Sequence, residues 1–207
     1  MLILDLDDTI FETKSMSDSS FSVIIKMIRN LLSDKIEMET ISDLIEDLWR
    51  RPFDIVMNRF EIDRSIQNQI ALQINSLDFD LNISTFEDYN YLKKVNIEQV
   101  LVTTGFTKLQ LTKIKALGIE NDFTEIFVDD PSEKNRIYKK GIFQKIIQKS
   151  NKSPNQIWVI GDNSESEIKA GNELGLRTIL RLKEGEEKST NAEYSIHSFA
   201  ELQKIIF

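Results

Sequence analysis

The sequence predicts an α/β protein. A parallel sheet is covered by helices on both faces, and a small α-helical bundle is inserted after its first strand. Three observations carry this reading. Short apolar runs recur along the chain, and the best defined of them end in small or acidic residues. From residue 82 onward these runs alternate with helical patterns, the order expected of a parallel sheet. Between the first run and the rest, four amphipathic stripes follow one another with no strand among them, as in a helical bundle. The sheet unit is assigned to 1–12 and 82–207, and the helical insertion to 13–81.

Leu2, Ile3 and Leu4 form the first strand and run into Asp5-Leu6-Asp7-Asp8-Thr9. Helical patterning begins at Ser17. Phe21, Ile24, Ile25, Ile28, Leu31 and Leu32 recur at a spacing of about 3.6 residues. Ile41, Leu44, Ile45, Leu48 and Trp49 make a second stripe. Pro52 suits the first turn of a third helix carrying Phe53, Val56, Met57 and Phe60. Ile62, Ile66, Ile70 and Ile74 make the fourth. Beyond the insertion, residues 86–95 predict a helix and 100–102 a strand ending at Thr103-Thr104-Gly105. Thr107–Leu117 reads as a helix stopped by Gly118. Residues 126–128 form a short strand, broken at the turn Asp129-Asp130-Pro131. A helix at 141–150 and a strand at 157–160 follow, the strand entering Gly161-Asp162. Residues 165–174 predict a helix closed by Gly175, 178–180 a strand, 183–193 a solvated loop and 199–206 a terminal helix.

Composition narrows the function. The chain of 207 residues is long enough for one domain with an added lobe. A net charge of −8 argues against a partner such as a nucleic-acid backbone. It leaves room for a small phosphorylated substrate, because a local cation can reverse the field inside a pocket. The absence of Cys removes disulfides, thiol catalysis and thiolate metal sites. No run is long enough to span a membrane, and the N-terminus lacks a basic-then-apolar leader. The expectation is a cytoplasmic protein, monomer or homodimer, with no nucleic-acid or membrane partner.

Candidate site residues fall at or just beyond strand ends. Side chains alternate along an extended backbone, so Asp5 and Asp7 point to the same side. Two carboxylates that close need a cation, a shared proton or reaction chemistry to coexist; a strand followed by an acidic turn is the plainer alternative. In open α/β sheets ligands bind beyond the carboxyl ends of the strands. The helical insertion leaves from that end, so it would sit above the acidic pair as a lid. Thr103 and Thr104, through Gly105, lead into a helix whose N-terminus suits an oxyanion, or which they simply cap. Lys139 and Lys140 precede another helix, where two lysines more often make a solvated face. Asp162 follows Gly161, with Glu165 and Glu167 close behind; an N-cap reading competes here too. Each signal is weak alone. Their order along the chain is specific.

That order resembles the haloacid dehalogenase-like (HAD) superfamily of hydrolases, most of which are phosphatases. DLDDT, Asp5 to Thr9, is similar to the first family motif, and LVTTG, Leu101 to Gly105, to the second. Lys139 lies four positions before Phe143, and Phe143 lies 18 before Gly161, similar to the spacing of the third and fourth motifs. GDNSESEIKAG, Gly161 to Gly171, resembles the fourth. The resemblance implies a Rossmann-like core with a helical cap domain. It also implies a Mg2+-dependent phosphatase acting on a small phosphorylated metabolite. Asp5 would be the nucleophile that becomes an aspartyl-phosphate, and Asp7 the general acid, then base. Thr103, with Thr104, Gly105 and Lys139, would bind the phosphoryl group. Lys139, or its neighbour Lys140, would neutralise charge. Asp5, the backbone carbonyl of Asp7 and Asp162 would hold Mg2+. Two departures stand out: Asp8 replaces a more usual Gly, and Glu165 or Glu167 stands where a second Asp is usual, with Glu167 the better match because it directly precedes Ile168. A phosphomutase or phosphotransferase on the same core, or a non-catalytic phosphate-binding regulator, are the alternatives. Arg50 and Arg51 are read as a solvated face of the insertion, and His197 as having no catalytic role.

Overall fold

Strand β1 (Leu2–Leu4) is buried on both faces and lies between β2 (Gln99–Thr104) and β4 (Trp158–Gly161). With β3 (Glu125–Asp129), β5 (Arg177–Arg181) and β6 (Tyr194–Ile196) they make a six-stranded sheet in the order β3-β2-β1-β4-β5-β6. All neighbours are parallel. The computed structural model describes residues 1–16, 19–49, 51–183, 185–186 and 191–206, with the backbone alone for 19–21. The Ser17 start of the first helical pattern, Arg50 and part of the loop at 183–193 lie outside the described residues, as does the Phe21 side chain.

The period-2 alternation sorts the sheet's side chains onto two cores. Leu2, Leu4, Leu101 and Ile160 pack with Leu92 of α5 (Tyr89–Lys93), Ile114 of α6 (Thr107–Leu117) and Leu202 of α9 (Leu202–Ile206). Ile3, Val100 and Val159 face the other way, onto Ile142, Phe143 and Ile146 of α7 (Tyr138–Ser150). A strand buried on both faces needs a continuous apolar run, which is what Leu2–Leu4 supplies.

Four helices fill the insertion: α1 (Ser19–Leu32), α2 (Met38–Leu48), α3 (Phe53–Arg59) and α4 (Arg64–Ser76). They close on their own apolar cluster, including Ile28, Leu44, Val56 and Ile70, which Phe106 and Leu109 join from the sheet unit. The Phe53 and Phe106 rings meet edge to face, 5.1 Å apart. After α4, Leu77, Phe79 and Leu81 still pack on this cluster, whereas Ile83 packs on the sheet. Among the described residues no helix is long and apolar enough to cross a membrane.

The structure corrects several elements. The helix expected over 86–95 shrinks to α5, because the residues before it are tied elsewhere. Phe86 N–H donates to the Ile10 carbonyl, and Asp88 accepts from Arg181 and from Phe199 N–H. The helix expected over 165–174 starts as a wide π-type turn, Ser164–Ile168, before α8 (Lys169–Glu173). The terminal helix opens as a 3-10 turn, Phe199–Glu201, capped reciprocally by Ser198 and Glu201. Strand β6 was not expected. Its three residues carry no apolar run, and it exists by pairing with β5. Thr103 and Thr104 are the last residues of β2 and do not open α6, whose first turn lies beyond Gly105.

Candidate active site

The chain passes from β1 through β2 to β3 on one side, then crosses to β4 on the other. The crevice beyond β1 and β4 is therefore the switch point where such sheets bind ligands. Asp5 stands at its centre. Its N–H donates to the Ile160 carbonyl at 3.0 Å, so the residue is fixed by the sheet, and it is buried. The backbone then turns sharply, with Asp8 in the left-handed region at φ 55°. Glycine suits that conformation best, and Asp is among the few other residues that tolerate it. Asp8 adds its own anchors, accepting from Thr13 N–H and from Lys183. The departure from Gly at this position thus has a conformational and a bonding reason.

Lys139, from the first turn of α7, is buried and donates to Asp5 Oδ1 and to Glu167 Oε2, both at 2.7 Å. Lys140 points away to an exposed pair with Glu173. Of the two lysines, Lys139 is the one that reaches Asp5. The π-type turn places the two glutamates differently. Glu167 is buried, with Asn163 N–H donating to Oε1, while the Glu165 side chain is 73% exposed. Wide turns of this kind recur at functional sites because the added residue re-aims a side chain. Gly161 makes room: a Cβ there would lie 2.2 Å from Glu167 Cγ.

Oxygens of Asp5, Asp162 and Glu167 lie within 4.8 Å of one another. Lys139 is the buried cation among them, and the half-exposed Lys183 approaches Asp162 at 3.6 Å. Burial raises the Asp5 carboxyl well above its ordinary range; Lys139 opposes this, and Glu167, Asp162 and Asp7 add to it. Burial and then Glu167 push Asp162 up to about 7, against Lys183. Burial alone would lower the Lys139 ammonium, but the charges of Asp5 and Glu167 outweigh it and raise it. Three crowded carboxylates around one lysine are short of positive charge. An all-oxygen set of this kind suits a hard divalent cation.

Asp7 is placed by residues that the sequence reading did not single out. Lys113 donates to Oδ1 and Gln110 to Oδ2, each at 2.7 Å. Both come from the buried side of α6, three residues apart. Two polar residues on the buried stripe of a helix were the available signal. Thr103 is fully buried behind them; its hydroxyl accepts from Gln110 and stands 3.4 Å from Asp7 Oδ2. Thr104 and Gly105 face the cavity. The Gly105 N–H is bonded to the Asp129 carbonyl, and the Thr107 N–H to Asp130 Oδ2, so the start of α6 is already capped.

Asp129 and Asp130, expected as turn residues, are both buried and structural. Burial alone would raise the Asp130 carboxyl, but hydrogen bonds from Ser132 and Thr107 outweigh it and hold it below its ordinary value. Asp129 receives two bonds of 2.7 Å from Arg136, which also reaches Asp54 of α3. Arg51 lines the cavity and pairs with Asp47. Among the described residues, His197 bonds through its backbone N–H, which donates to Glu201.

The sequence profile described as haloacid dehalogenase-like hydrolase matches residues 2–181. No curated protein matches the chain. Solved structures share the fold across nearly the whole length. A HAD phosphatase from Thermococcus onnurineus is 18% identical, with a TM-score of 0.66 over 99% of this chain and 96% of that one. The HAD-like hydrolase SP0104 from Streptococcus pneumoniae is 15% identical, with a TM-score of 0.67 over 100% and 97%. YfnB from Bacillus subtilis, a putative HAD-hydrolase solved with magnesium bound, is 17% identical, with a TM-score of 0.61 over 99% and 97%.

Proposed function

Because the chain belongs to the haloacid dehalogenase-like hydrolases, we propose that it is a Mg2+-dependent phosphatase of a small phosphorylated metabolite. The observation that carries this is the second acid. Asp7 stands two residues beyond Asp5 and is held by Lys113 and Gln110 beside the acidic cluster. A carboxylate nucleophile that displaces a halide needs no proton donor for its leaving group. One that displaces an alkoxide needs a proton donor, and later a base for water. We assign 1–12 and 82–207 to the catalytic core and 13–81 to a cap.

In this reading an Asp5 carboxylate oxygen attacks phosphorus and forms an aspartyl-phosphate, while the P–O bond to the leaving alcohol breaks. Asp7 gives its proton to that departing oxygen. Asp7 then takes a proton from water as the water attacks phosphorus, and Asp5 is released with inorganic phosphate. Both Asp7 oxygens accept hydrogen bonds as described, the arrangement of the base in the second step. The first step requires one of those bonds to be exchanged for the substrate. Lys139 faces the nucleophile and offsets the charge that builds on it and on the phosphoryl oxygens. Thr103 accepts from Gln110 and holds it in place, and its hydroxyl would meet the phosphoryl group only if Asp7 and Gln110 gave way. Asp5 and Asp162, with the backbone carbonyl of Asp7, would hold Mg2+, and Glu167 would support them through Lys139. Bound there, Mg2+ supplies the positive charge that lets an anionic nucleophile approach an anionic phosphate.

The test is phosphate release from an aryl phosphate, with and without chelator, together with acid-quench trapping of a phosphorylated Asp5 peptide. Metal-dependent release with a trapped peptide is expected. Full activity in chelator, or turnover by the Asp5→Asn protein, would overturn the assignment.

A further inference from the structure

A cavity of about 880 Å3 opens from Asp5 into the helical insertion. Its two ends differ in chemistry. At one end stand Asp5, Asp7, Asp162, Glu167 and Lys139. At the other the walls are apolar: Ile25, Leu48, Trp49 and Ile55 from the insertion, and Phe106 with Leu109 from the sheet unit. Trp49 and Ile55 line the cavity and are 38% and 43% exposed. Among the described residues of the insertion that line the cavity, Arg51 carries the one charge, and Asp47 already accepts from it. Of the other cations that line the cavity, Arg136 is buried between Asp129 and Asp54, and Lys113, Lys140, Lys169 and Lys183 are each paired with a carboxylate.

We propose that the substrate is a phosphate monoester of an apolar alcohol, with its phosphoryl group at Asp5 and an aliphatic or aromatic body in the chamber beneath the insertion. This rests on the phosphatase reading above and names the substrate class for it. The volume suits a ligand well beyond a phosphate and a few carbons. A polyhydroxylated body would bring hydroxyls into a chamber whose walls offer few partners. Each hydroxyl stripped of water and left unpaired weakens binding by roughly tenfold. An apolar body gains from every carbon it buries there.

The experiment uses non-hydrolysable n-alkylphosphonates, methyl to octyl, titrated by calorimetry into the 207-residue protein with Mg2+. Each methylene is expected to tighten binding roughly threefold to fourfold until the chamber is filled. A sugar phosphonate of similar size is expected to bind at least tenfold more weakly than the matching alkyl compound. Phenylphosphonate set beside hexylphosphonate decides between an aromatic and an aliphatic body. Ile55→Ser, at a half-exposed position, is expected to flatten the slope with the unfolding midpoint nearly unchanged. Affinity that does not depend on chain length, or a sugar phosphonate that binds as tightly, overturns the proposal whatever the variant does. Hexyl phosphate separates the two readings. A steep binding slope without phosphate release from that ester supports the apolar chamber and refutes the hydrolase step.

Discussion

The ammonium of Lys113 lies 2.7 Å from Oδ1 of Asp7, although 106 positions separate the two residues in the chain. Lys113 is buried within α6, and its ammonium also sits 5.8 Å from the centre of the Phe11 ring. With Gln110 on the other oxygen, Asp7 is held in one orientation between two donors. A general acid or base works only from the right place, so these two side chains are expected to act through Asp7.

Lys113→Met tests this. On the phosphatase reading, kcat is expected to fall about tenfold to a hundredfold, with KM changed little. Gln110→Leu should give a similar but smaller split. A purely structural role would lower stability and leave the kcat of the folded fraction intact. Steady-state kinetics on protein verified as folded decide it, and an unchanged kcat in Lys113→Met would remove Asp7 positioning from the account.

The two acids should fail differently. Asp5→Asn is expected to lose both the covalent intermediate and turnover. Asp7→Asn should still phosphorylate Asp5 from a donor whose leaving group needs no proton, then hydrolyse the intermediate slowly. Burst kinetics with an activated aryl phosphate separate the steps. Loss of the burst in Asp7→Asn would mean that Asp7 serves the attack itself.

How much of this was legible in the chain depends on range. Leu2–Leu4 followed by Asp5 and Asp7 is a local signal, and so are the β2 and β4 runs and the stop at Gly118, where φ is +67°. Those elements fall where the pattern places them, within a residue or two. The Lys113–Asp7 and Asp54–Arg136 pairs join residues far apart in sequence, and no window of sequence carries such a pairing. The sequence favours Glu167 over Glu165 only by its place before Ile168, because its burial depends on a π-type turn and an α-helical pattern assumes a regular pitch. Strand β6 has too few residues to show a period.

The acidic cluster predicts a pH-dependent response to metal. Asp162 is raised to about 7 from 3.8. Between those values the native state binds more protons than the unfolded chain. Its stability therefore falls as pH rises through that window, by on the order of 4 kcal/mol in total from this group. A divalent cation bound to the ionised carboxylates opposes the loss, and at low pH it must compete with protons. Mg2+ is thus expected to raise the unfolding midpoint more at pH 8 than at pH 5. Thermal unfolding at both values, with and without Mg2+, reads this directly. An equal shift at both would mean that the cation binds away from Asp162.

Arg136 bears on how the insertion is held over the site. Its guanidinium makes two bonds to Asp129 at the end of β3 and a third to Asp54 on α3, and it is stacked 4.4 Å from the centre of the Tyr138 ring. Thr104, at the end of β2, also donates to Asp129, so the clasp is anchored beside the site. Of the three acidic and basic groups, Asp54 alone belongs to the insertion. Asp54→Asn keeps a polar group of the same shape and leaves Arg136 paired with Asp129. What it removes is the charged link between the two units, worth about 1–3 kcal/mol for a charge-assisted bond at a buried position. The expected result is faster hydrogen exchange in α1–α4, with the amides of β1 and β4 unaffected. KM should rise for the substrate that the insertion contacts, and less so for a small aryl phosphate. Exchange mass spectrometry with peptide resolution makes the comparison. If protection fell equally in the insertion and the sheet, Asp54 would be stabilising the whole fold and not latching one unit to the other.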